Sequence, residues 1–217
     1  TCGAGCSTKA LGTLLTPLPT RDGELSQSIR QSLNMYGDFI QTLEELSGIH
    51  TGHAIKGHIH VPVGEAQIQA YVREFALEHC WLERISRQQA ADLEPQIDFS
   101  AADEIIFDPT SHQIDPVKVI DALKISCQRA GVVIQEHTPV INIQDGPVVH
   151  TQNDVLSAGT VVIAGGLHST DLAKKLGMTF PIKPVRGQAL EVAAAGPIVS
   201  RTVKFSKHLH LTPRPNN

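Results

Sequence analysis

The feature that most constrains the fold is an unbroken apolar run, Thr160-Val-Val-Ile-Ala164, which Gly165-Gly166 ends. The run has none of the polar alternation of a strand with one face in water, so it predicts a strand covered on both faces. A helix is predicted to follow it from Ser169 to Leu176. Because a strand buried on two sides needs further layers around it, the chain should contain a layered α/β unit.

Apolar residues at helical spacing predict a long helix in the first quarter of the chain. Asp22 can cap its start and Gly48 can end it. Asp115-Pro116 is an N-cap followed by proline at the first helical position, which predicts a helix that stops at Gly131. We interpret the apolar stripe of the long helix as core packing; it consists of Leu25, Ile29, Leu33, Tyr36, Ile40 and Leu43. The other predicted helices cover 66–80, with Ile68, Val72 and Phe75 buried, and 86–94.

Short segments bounded by glycine, proline and polar residues predict strands between these helices. Some alternate in polarity and suit antiparallel pairing, whereas the strand-helix units suit a buried parallel sheet. This mixed order predicts an α/β (mixed α+β) fold, in which a nucleotide-binding domain is interleaved with an antiparallel-sheet domain. The predicted strands, besides 160–164, are 55–61, 81–85, 105–107, 132–134, 139–143, 148–149, 182–192, 199–205 and 209–212.

Charge and composition exclude several classes of protein. The net charge of -4 is modest and both signs are interspersed, which argues against nucleic acid as a partner. No apolar run approaches the roughly 20 residues that span a bilayer. The 4 cysteines are too sparse for a disulfide scaffold, so reduced thiols and a cytoplasmic location are expected. Neither Thr1 nor the end at Pro213-Arg-Pro-Asn-Asn217 resembles a natural terminus, so we expect a fragment.

Spacing alone yields only weak candidates for a nucleotide or metal site. Gly3-Ala-Gly5 begins a GxGxxG pattern, but Thr8 replaces the third glycine and no strand precedes it. The segments His58-Ile-His60 and His208-Leu-His210 each place two imidazoles on one strand face, because side chains alternate with period two. A zinc site would need a third ligand that nothing in the sequence marks. Solvated or core histidines are the default interpretation, and no metal site is predicted.

Single serine and arginine residues give weak signals for two other kinds of site, a nucleophile and a carboxylate-binding site. No GxSxG motif supports a Ser-His-Asp nucleophile, since neither Ser7 nor Ser169 lies in a strand-turn-helix elbow. Arg186 and Arg214 could each bind a carboxylate through a bidentate contact. A surface or interdomain ion pair is the default interpretation for each arginine taken singly.

Several loosely defined motifs follow one another in a characteristic order over nearly the whole chain. The motifs are Cys6–Leu15, the Leu-Glu-Pro ending of 86–95, Asp108–Leu123, Glu136-His-Thr-Pro-Val140, Thr160–Ser169, Pro184-Val-Arg-Gly-Gln188 and His210-Leu-Thr-Pro-Arg214. Together they resemble the glycine oxidase and D-amino-acid oxidase family of flavin enzymes, and the segment around Glu136 is especially similar to glycine oxidases.

The resemblance implies two interleaved domains, both incomplete. A Rossmann-like FAD-binding domain would comprise 1–45 and 110–184, and an antiparallel-sheet substrate domain would comprise 46–109 and 185–217. The N-terminal GxGxxG segment of the family and its C-terminal part, which carries the arginine for the substrate carboxylate, would lie outside the chain.

The resemblance also assigns roles to residues by position. His208 and His210 would face the substrate as catalytic residues, with His210 where the family has tyrosine. Thr13 stands where the family often has methionine, and His168 where tryptophan is usual. Small residues suit a cofactor site because the backbone must approach the cofactor closely. The residues implied to contact FAD are Cys6, Ser7, Leu11, Gly12 and Thr13 at the flavin, Val140 at the adenine, and Ala164 and Gly165 near the phosphates.

The implied activity is FAD-dependent oxidation of a small amino acid or amine, as in the glycine oxidases of thiamine biosynthesis. A hydride would pass from the α-carbon to the flavin, the imine would hydrolyse, and oxygen would be reduced to hydrogen peroxide. The flavin would carry the redox chemistry while the protein positions the carbon. Two alternatives are a non-catalytic fragment that folds without cofactor and a metal-binding histidine protein. A homo-oligomer is left open.

Overall fold

The computed structural model describes residues 5–16, 23–77, 80–144, 146–196, 198–206 and 209–214. Contacts between residues divide the chain into two compact units. The smaller unit covers 133–190, and the larger unit comprises the described residues before 133 and after 190. The division into FAD-binding and substrate-binding parts stays a prediction, since compactness alone does not test it.

Helices and short strands together form a mixed α/β architecture, as the sequence predicts. The helices are α1 (Glu24–Ser47), α2 (Glu65–Phe75), α3 (Arg87–Leu93), α4 (Pro116–Arg129) and α5 (Ser169–Lys175). The strands are β1 (Thr13–Leu14), β2 (Ala54–Ile55), β3 (His58–Val61), β4 (Glu83–Arg84), β5 (Ile106–Asp108), β6 (His112–Gln113), β7 (Val140–Gln144), β8 (Val148–Thr151), β9 (Val155–Ser157), β10 (Thr202–Phe205) and β11 (Leu209–Leu211). None of the described helices is long and apolar enough to cross a membrane.

A five-stranded sheet in the order β11-β10-β3-β5-β4 is the centre of the larger unit. Strands β3 and β10 run parallel, and the other neighbours run antiparallel. One face of this sheet is apolar and builds the main core. Ile59 and Val203, on adjacent strands, are fully buried there against Ala90 of α3 and Phe99. Because side chains alternate along a strand, the residues between them point to the opposite face.

A second core lies between α1 and α4. Ile40 and Leu43 of α1 pack against Ile114 and Ala122. A three-stranded sheet in the order β1-β6-β2 lies beside it. The predicted stop of α1 is confirmed, since Gly48 adopts the left-handed conformation at its C-terminus.

The prediction that the whole apolar stripe of α1 is core was wrong for its first half. Leu25 is 76% exposed and Ile29 is also exposed, whereas Ile40 and Leu43 are buried. Helix α4 has 14 residues against the 24 of α1, so it is about 21 Å long against about 36 Å and cannot cover the full stripe. Asp22, the predicted cap, lies outside the described residues.

The predicted single strand over 55–61 is two strands in two different sheets. Strand β2 pairs with β6, and β3 pairs with β5 and β10. Gly57 separates them with φ of 73°, and a Cβ there would lie 2.4 Å from a ring carbon of Phe107. Alternating polarity continues across Gly57, so the sequence pattern did not reveal the break.

Helix α2 ends at Phe75 and turns a different face inward from the one predicted. Glu74 is its buried residue, while Val72 is exposed and Ile68 is half-buried. Tyr71, one turn before Glu74, contacts His60 of β3 through its hydroxyl group. The orientation of α2 is therefore fixed by polar contacts from the face of Tyr71 and Glu74, and not by packing of its apolar stripe.

The predicted helices around 86–94 and 116–131 are confirmed together with their capping residues. Ser86 forms a capping box with Gln89 at the start of α3. The Asp115 carboxylate accepts hydrogen bonds from the backbone N–H groups of Val117 and Lys118 at the start of α4. The starts of both helices were predictable from sequence because each capping residue bonds to residues within three positions of itself.

The smaller unit contains the antiparallel sheet β7-β8-β9, against which α5 packs through β7. The predicted hairpin and the helix from Ser169 are confirmed. The strands predicted over 160–164 and 182–192 were wrong, as was the one over 132–134: these segments are irregular. Val162 is 82% exposed and Leu190 is 95% exposed. An apolar run becomes a strand only beside a partner strand, and none of the described residues supplies one.

Candidate functional site

The second face of the five-stranded sheet carries polar side chains on every strand, including Asp108 of β5 and Arg84 of β4. Six of them, on β3, β10 and β11 or just after β11, form what we call the polar face: His58, His60, Thr202, Lys204, His210 and Thr212. Lys204 of β10 is in register with His60 of β3 on one side and with His210 of β11 on the other. Residues paired across strands lie on the same face with Cβ atoms about 5 Å apart. The polar face therefore holds three imidazoles and an ammonium group as close neighbours.

The histidine rings of the polar face touch one another. The rings of His58 and His60 stack with centroids 4.1 Å apart, and that of His210 lies edge-on to His58 at 6.4 Å. The Tyr71 hydroxyl group is 2.8 Å from Nδ1 of His60. His58 is fully buried, and neither of its ring nitrogens has a hydrogen-bond partner among the described residues.

Burial and mutual repulsion keep these imidazoles neutral. Burial, then the charges of Lys204 and His210, lower the pKa of His58 to about 3. Burial, then His58, Lys204 and His210, hold the pKa of His60 well below its ordinary value. Burial and Lys204 also lower the pKa of His210. Each cation on the polar face therefore opposes protonation of its neighbours.

We expect the larger unit to lose stability as the pH falls from about 7 to about 5. His58 and His60 titrate near their ordinary pKa of about 6.5 when the chain is unfolded, and below it in the fold. The unfolded state therefore binds more protons in this window, and each histidine lowers the free energy of unfolding by up to about 1.4 kcal/mol per pH unit. Urea unfolding across this range, followed by fluorescence of Trp81, the single tryptophan, measures the slope.

The variant His58→Gln separates this linkage from overall stability. It should flatten the pH slope by about 1.4 kcal/mol per pH unit, whatever it does to stability at neutral pH. His168→Gln is the matched control, because His168 is exposed in the smaller unit. A pH slope in His58→Gln equal to that of the wild type would contradict the claim that His58 is buried and neutral in the fold.

A network of hydroxyl groups joins the polar face to the segment predicted to line the flavin. Oγ1 of Thr13 lies 3.0 Å from Oγ1 of Thr202, which is fully buried. The Thr202 hydroxyl accepts a hydrogen bond from Nε2 of Gln113 at 3.1 Å and donates one to Oγ1 of Thr212 at 3.3 Å. Since the single proton of Thr202 goes to Thr212, Thr13 is the donor in their contact.

The segment before Thr13 lies against the residues that lead into α4. The backbone N–H of Ile114 donates to the carbonyl of Gly12 at 2.9 Å. Gly12 has φ of 78°, and a Cβ there would lie 2.0 Å from the carbonyl oxygen of Ile114. Cys6 and Ser7 are exposed at the start of a short 3-10 turn, and Leu11, just after that turn, is also exposed. The predicted flavin-lining residues of the larger unit thus form one continuous surface segment.

The other predicted cofactor residues belong to the smaller unit. Val140 begins β7 and is 37% exposed. Ala164 and Gly165 are exposed and lie in an irregular segment in place of the predicted strand end. A Cβ on Gly165 would come no closer than 3.6 Å to Ser169, so the fold itself does not demand glycine there.

Sequence reasoning found His210 but missed Lys204, Thr202 and Gln113. The alternation of Thr202 and Lys204 along one strand was a usable signal, but their neighbours depend on strand register, which the sequence does not give. His208 lies outside the described residues. In the part of the chain that is described, no three His, Cys, Asp or Glu side chains are grouped as a metal ion would require. Arg214 donates to the carbonyl of Ala10 at 2.7 Å.

Comparison with known proteins gives consistent matches. Residues 1–217 match the profile of the family described as FAD dependent oxidoreductase. A glycine oxidase of Geobacillus kaustophilus is 25% identical over 227 residues, which cover 100% of this chain and 59% of that protein. A bifunctional ThiO/ThiG protein of a Synechocystis species is 29% identical over 190 residues, which cover 82% of this chain and 26% of the relative.

The crystal structure of the glycine oxidase from Geobacillus kaustophilus has the same fold. It superimposes with a TM-score of 0.88 at 24% identity, over 98% of this chain and 59% of that one. The chain thus spans 59% of the length of this relative, and its fold is that of the corresponding part.

Proposed function

Because the chain belongs to the FAD-dependent oxidoreductase family, we propose that it is part of an enzyme that oxidises a small amino acid or amine. Glycine is the leading candidate substrate. The substrate loses a hydride from the carbon that bears the nitrogen, and water hydrolyses the resulting imine. Molecular oxygen takes up the electrons and leaves as hydrogen peroxide. The glycine oxidase relatives support this reaction.

FAD is the cofactor of this family and supplies the acceptor for the hydride. The described residues fit such a group, because Leu11 in the larger unit and Val140 in the smaller unit expose apolar side chains, and Gly165 is an exposed residue without a side chain. Exposed apolar and small residues can lie against a flat ring and close to a phosphate. We propose that Cys6, Ser7, Leu11, Gly12 and Thr13 contact the flavin, and that Val140, Ala164 and Gly165 contact the adenosine and phosphate part.

The contact between Thr13 and Thr202 is the observation that supports the proposal best. It brings the proposed flavin segment next to the polar face, where His210 is half-buried and accessible. A substrate between the two would meet the flavin on one side and neutral imidazoles on the other. Burial and the charge of Lys204 lower the pKa of these imidazoles, and they would lower the pKa of a substrate ammonium group in the same way, which leaves the amine ready for oxidation. The described cysteines, Cys6, Cys80 and Cys127, are free, which suits the proposed cytoplasmic location.

The absorbance spectrum of the purified chain, with its intact mass, tests cofactor binding directly. Bands in the visible range that persist after gel filtration would show that this chain retains FAD without the GxGxxG segment that the resemblance places outside it. Peroxide release from glycine is expected of the protein that includes that segment. Thr13→Val should weaken FAD binding about tenfold if the hydroxyl contacts matter, since a hydrogen bond in a site contributes about 1 kcal/mol or more. Thr8→Val, whose hydroxyl donates to the carbonyl of Gly5, is the control.

A protein that includes the GxGxxG segment and stays colourless in excess FAD would contradict the proposal. A folded 217-residue chain that stays colourless would show that these residues alone do not hold the cofactor. It would favour the alternative, a fragment that folds without cofactor and has no catalytic activity. Circular dichroism of the same sample shows whether the chain is folded, so the two explanations are separable.

A further inference from the structure

We propose that Gln113 and Thr202 are positioning residues that hold the hydroxyl group of Thr13 in one orientation, so that its oxygen can only accept a hydrogen bond from the cofactor beside it. The inference rests on the proposed contact between Thr13 and the flavin, and it assigns a polarity to that contact. A group that meets the Thr13 hydroxyl must then be a hydrogen-bond donor, such as an N–H of the flavin ring.

The sheet register places Gln113 directly beside Thr13. The two residues are paired across the antiparallel strands β6 and β1, and paired residues lie on one face with Cβ atoms about 5 Å apart. Both side chains reach Thr202, which begins β10 of the five-stranded sheet. Gln113 and Thr202 are buried, whereas Thr13 is half-buried. The two buried residues therefore support the more accessible hydroxyl group of Thr13.

Three partners fill the hydrogen-bonding capacity of the Thr202 hydroxyl group, which is one proton and two lone pairs. The Gln113 amide nitrogen lies 3.1 Å from its oxygen, the Thr13 hydroxyl oxygen 3.0 Å and the Thr212 hydroxyl oxygen 3.3 Å. The amide N–H group can only donate, so it occupies one lone pair. The proton of Thr202 goes to Thr212, and the second lone pair accepts from Thr13.

This order of donors and acceptors gives the Thr13 hydroxyl a fixed polarity. A threonine hydroxyl has a single proton, and that of Thr13 is donated to Thr202. Its lone pairs are the part of the group that a ligand can use. Without the amide of Gln113, Thr202 could accept from Thr212 and donate to Thr13, and the order would be undetermined. Gln113 thus sets the polarity of Thr13 through Thr202.

NMR of the 217-residue chain without cofactor tests the orientation of Thr13. Three-bond couplings of its methyl carbon report whether the side chain keeps one rotamer, and the variant Thr13→Val identifies the signal. We expect one rotamer in the wild type and averaged couplings in Thr202→Val, which removes the hydroxyl group but keeps the shape of the side chain. Gln113→Leu should show a smaller change in the same direction. Thr202→Ser, which keeps the hydroxyl group, should retain one rotamer at Thr13.

Gln88→Leu is the matched control, because Gln88 is exposed in the same unit and its amide donates to Asp92 within α3. It should leave the Thr13 couplings unchanged. Gln113→Met, which is closer to glutamine in shape, replaces Gln113→Leu should the leucine variant not fold. Wild-type couplings of Thr13 in both Gln113→Leu and Thr202→Val would overturn the proposal, since packing alone would then set the orientation.

The FAD affinity of the protein that includes the GxGxxG segment tests the link to the cofactor. We expect Gln113→Leu to weaken FAD binding about fivefold, as for one hydrogen bond of ordinary strength. The double variant with Gln113→Leu and Thr13→Val should bind no more weakly than Thr13→Val alone, because Gln113 acts through Thr13. Additive losses would overturn the positioning role. A protein that binds no FAD would contradict the proposed function, whereas the Thr13 couplings would still decide the orientation.

Discussion

Gly12→Ala is expected to destabilise the larger unit by about 3 kcal/mol. Gly12 has φ of 78°, and any Cβ there would lie 2.0 Å from the carbonyl oxygen of Ile114. The left-handed conformation costs a residue with a side chain about 1–2 kcal/mol. The clash with backbone at the start of α4 adds about 1–3 kcal/mol, because neither segment can shift without breaking their hydrogen bond. Urea unfolding followed by Trp81 fluorescence measures the loss.

Gly131→Ala is the matched control for this effect. Gly131 has φ of 80°, nearly that of Gly12, but no atom lies within 4 Å of its added Cβ. It should lose only about 1–2 kcal/mol, so the difference between the two variants isolates the clash. Equal losses would show that the chain near Gly12 relaxes freely. The comparison also bears on the cofactor, since weak FAD binding by Gly12→Ala would reflect a distorted segment and not a lost contact.

Local signals in the sequence predicted the helices well. Ser86 and Asp115 cap helices within three residues of themselves, so the information for α3 and α4 is contained in short stretches of chain. The face shared by His58 and His60 was likewise readable, because it follows from alternation along one strand. The resemblance identified the enzyme family, which periodicity does not reveal, and the match over residues 1–217 confirms that family.

Features that depend on distant partners were not predictable. The run 160–164 has the composition of a buried strand, yet a strand also needs a neighbour, and composition does not supply one. Lys204 joins the polar face only through the register of β10 with β3 and β11. The break at Gly57 depends on the ring of Phe107, fifty residues away in sequence. In each case the deciding contact is long-range.

The same limitation applies to Glu94, whose partners lie more than one hundred positions away. Glu94 is 1% exposed at the end of α3. Its carboxylate accepts hydrogen bonds from the backbone N–H and hydroxyl of Ser200 and from the backbone N–H of Arg201, and forms an ion pair with the Arg201 guanidinium at 3.0 Å. It thereby fixes the residues that lead directly into β10 and the polar face.

Glu94→Gln is therefore expected to destabilise the larger unit by about 3–5 kcal/mol, which is the usual loss when one partner of a buried ion pair is removed. The amide cannot accept at both oxygen positions, so at least one donor of Ser200 or Arg201 is left buried without a partner. Urea unfolding followed by Trp81 fluorescence measures the change.

Glu104→Gln tests whether the effect of Glu94 comes from burial and not from charge alone. Glu104 pairs with Arg84 at 4.0 Å, and the two side chains are 30% and 50% exposed. Water screens such a pair, so its loss should change the free energy of unfolding by less than about 1 kcal/mol. A similar loss in the two variants would contradict a special role for Glu94. A large loss at Glu94 alone would show that its buried contacts to Ser200 and Arg201, which precede β10, stabilise the larger unit more than a screened ion pair does.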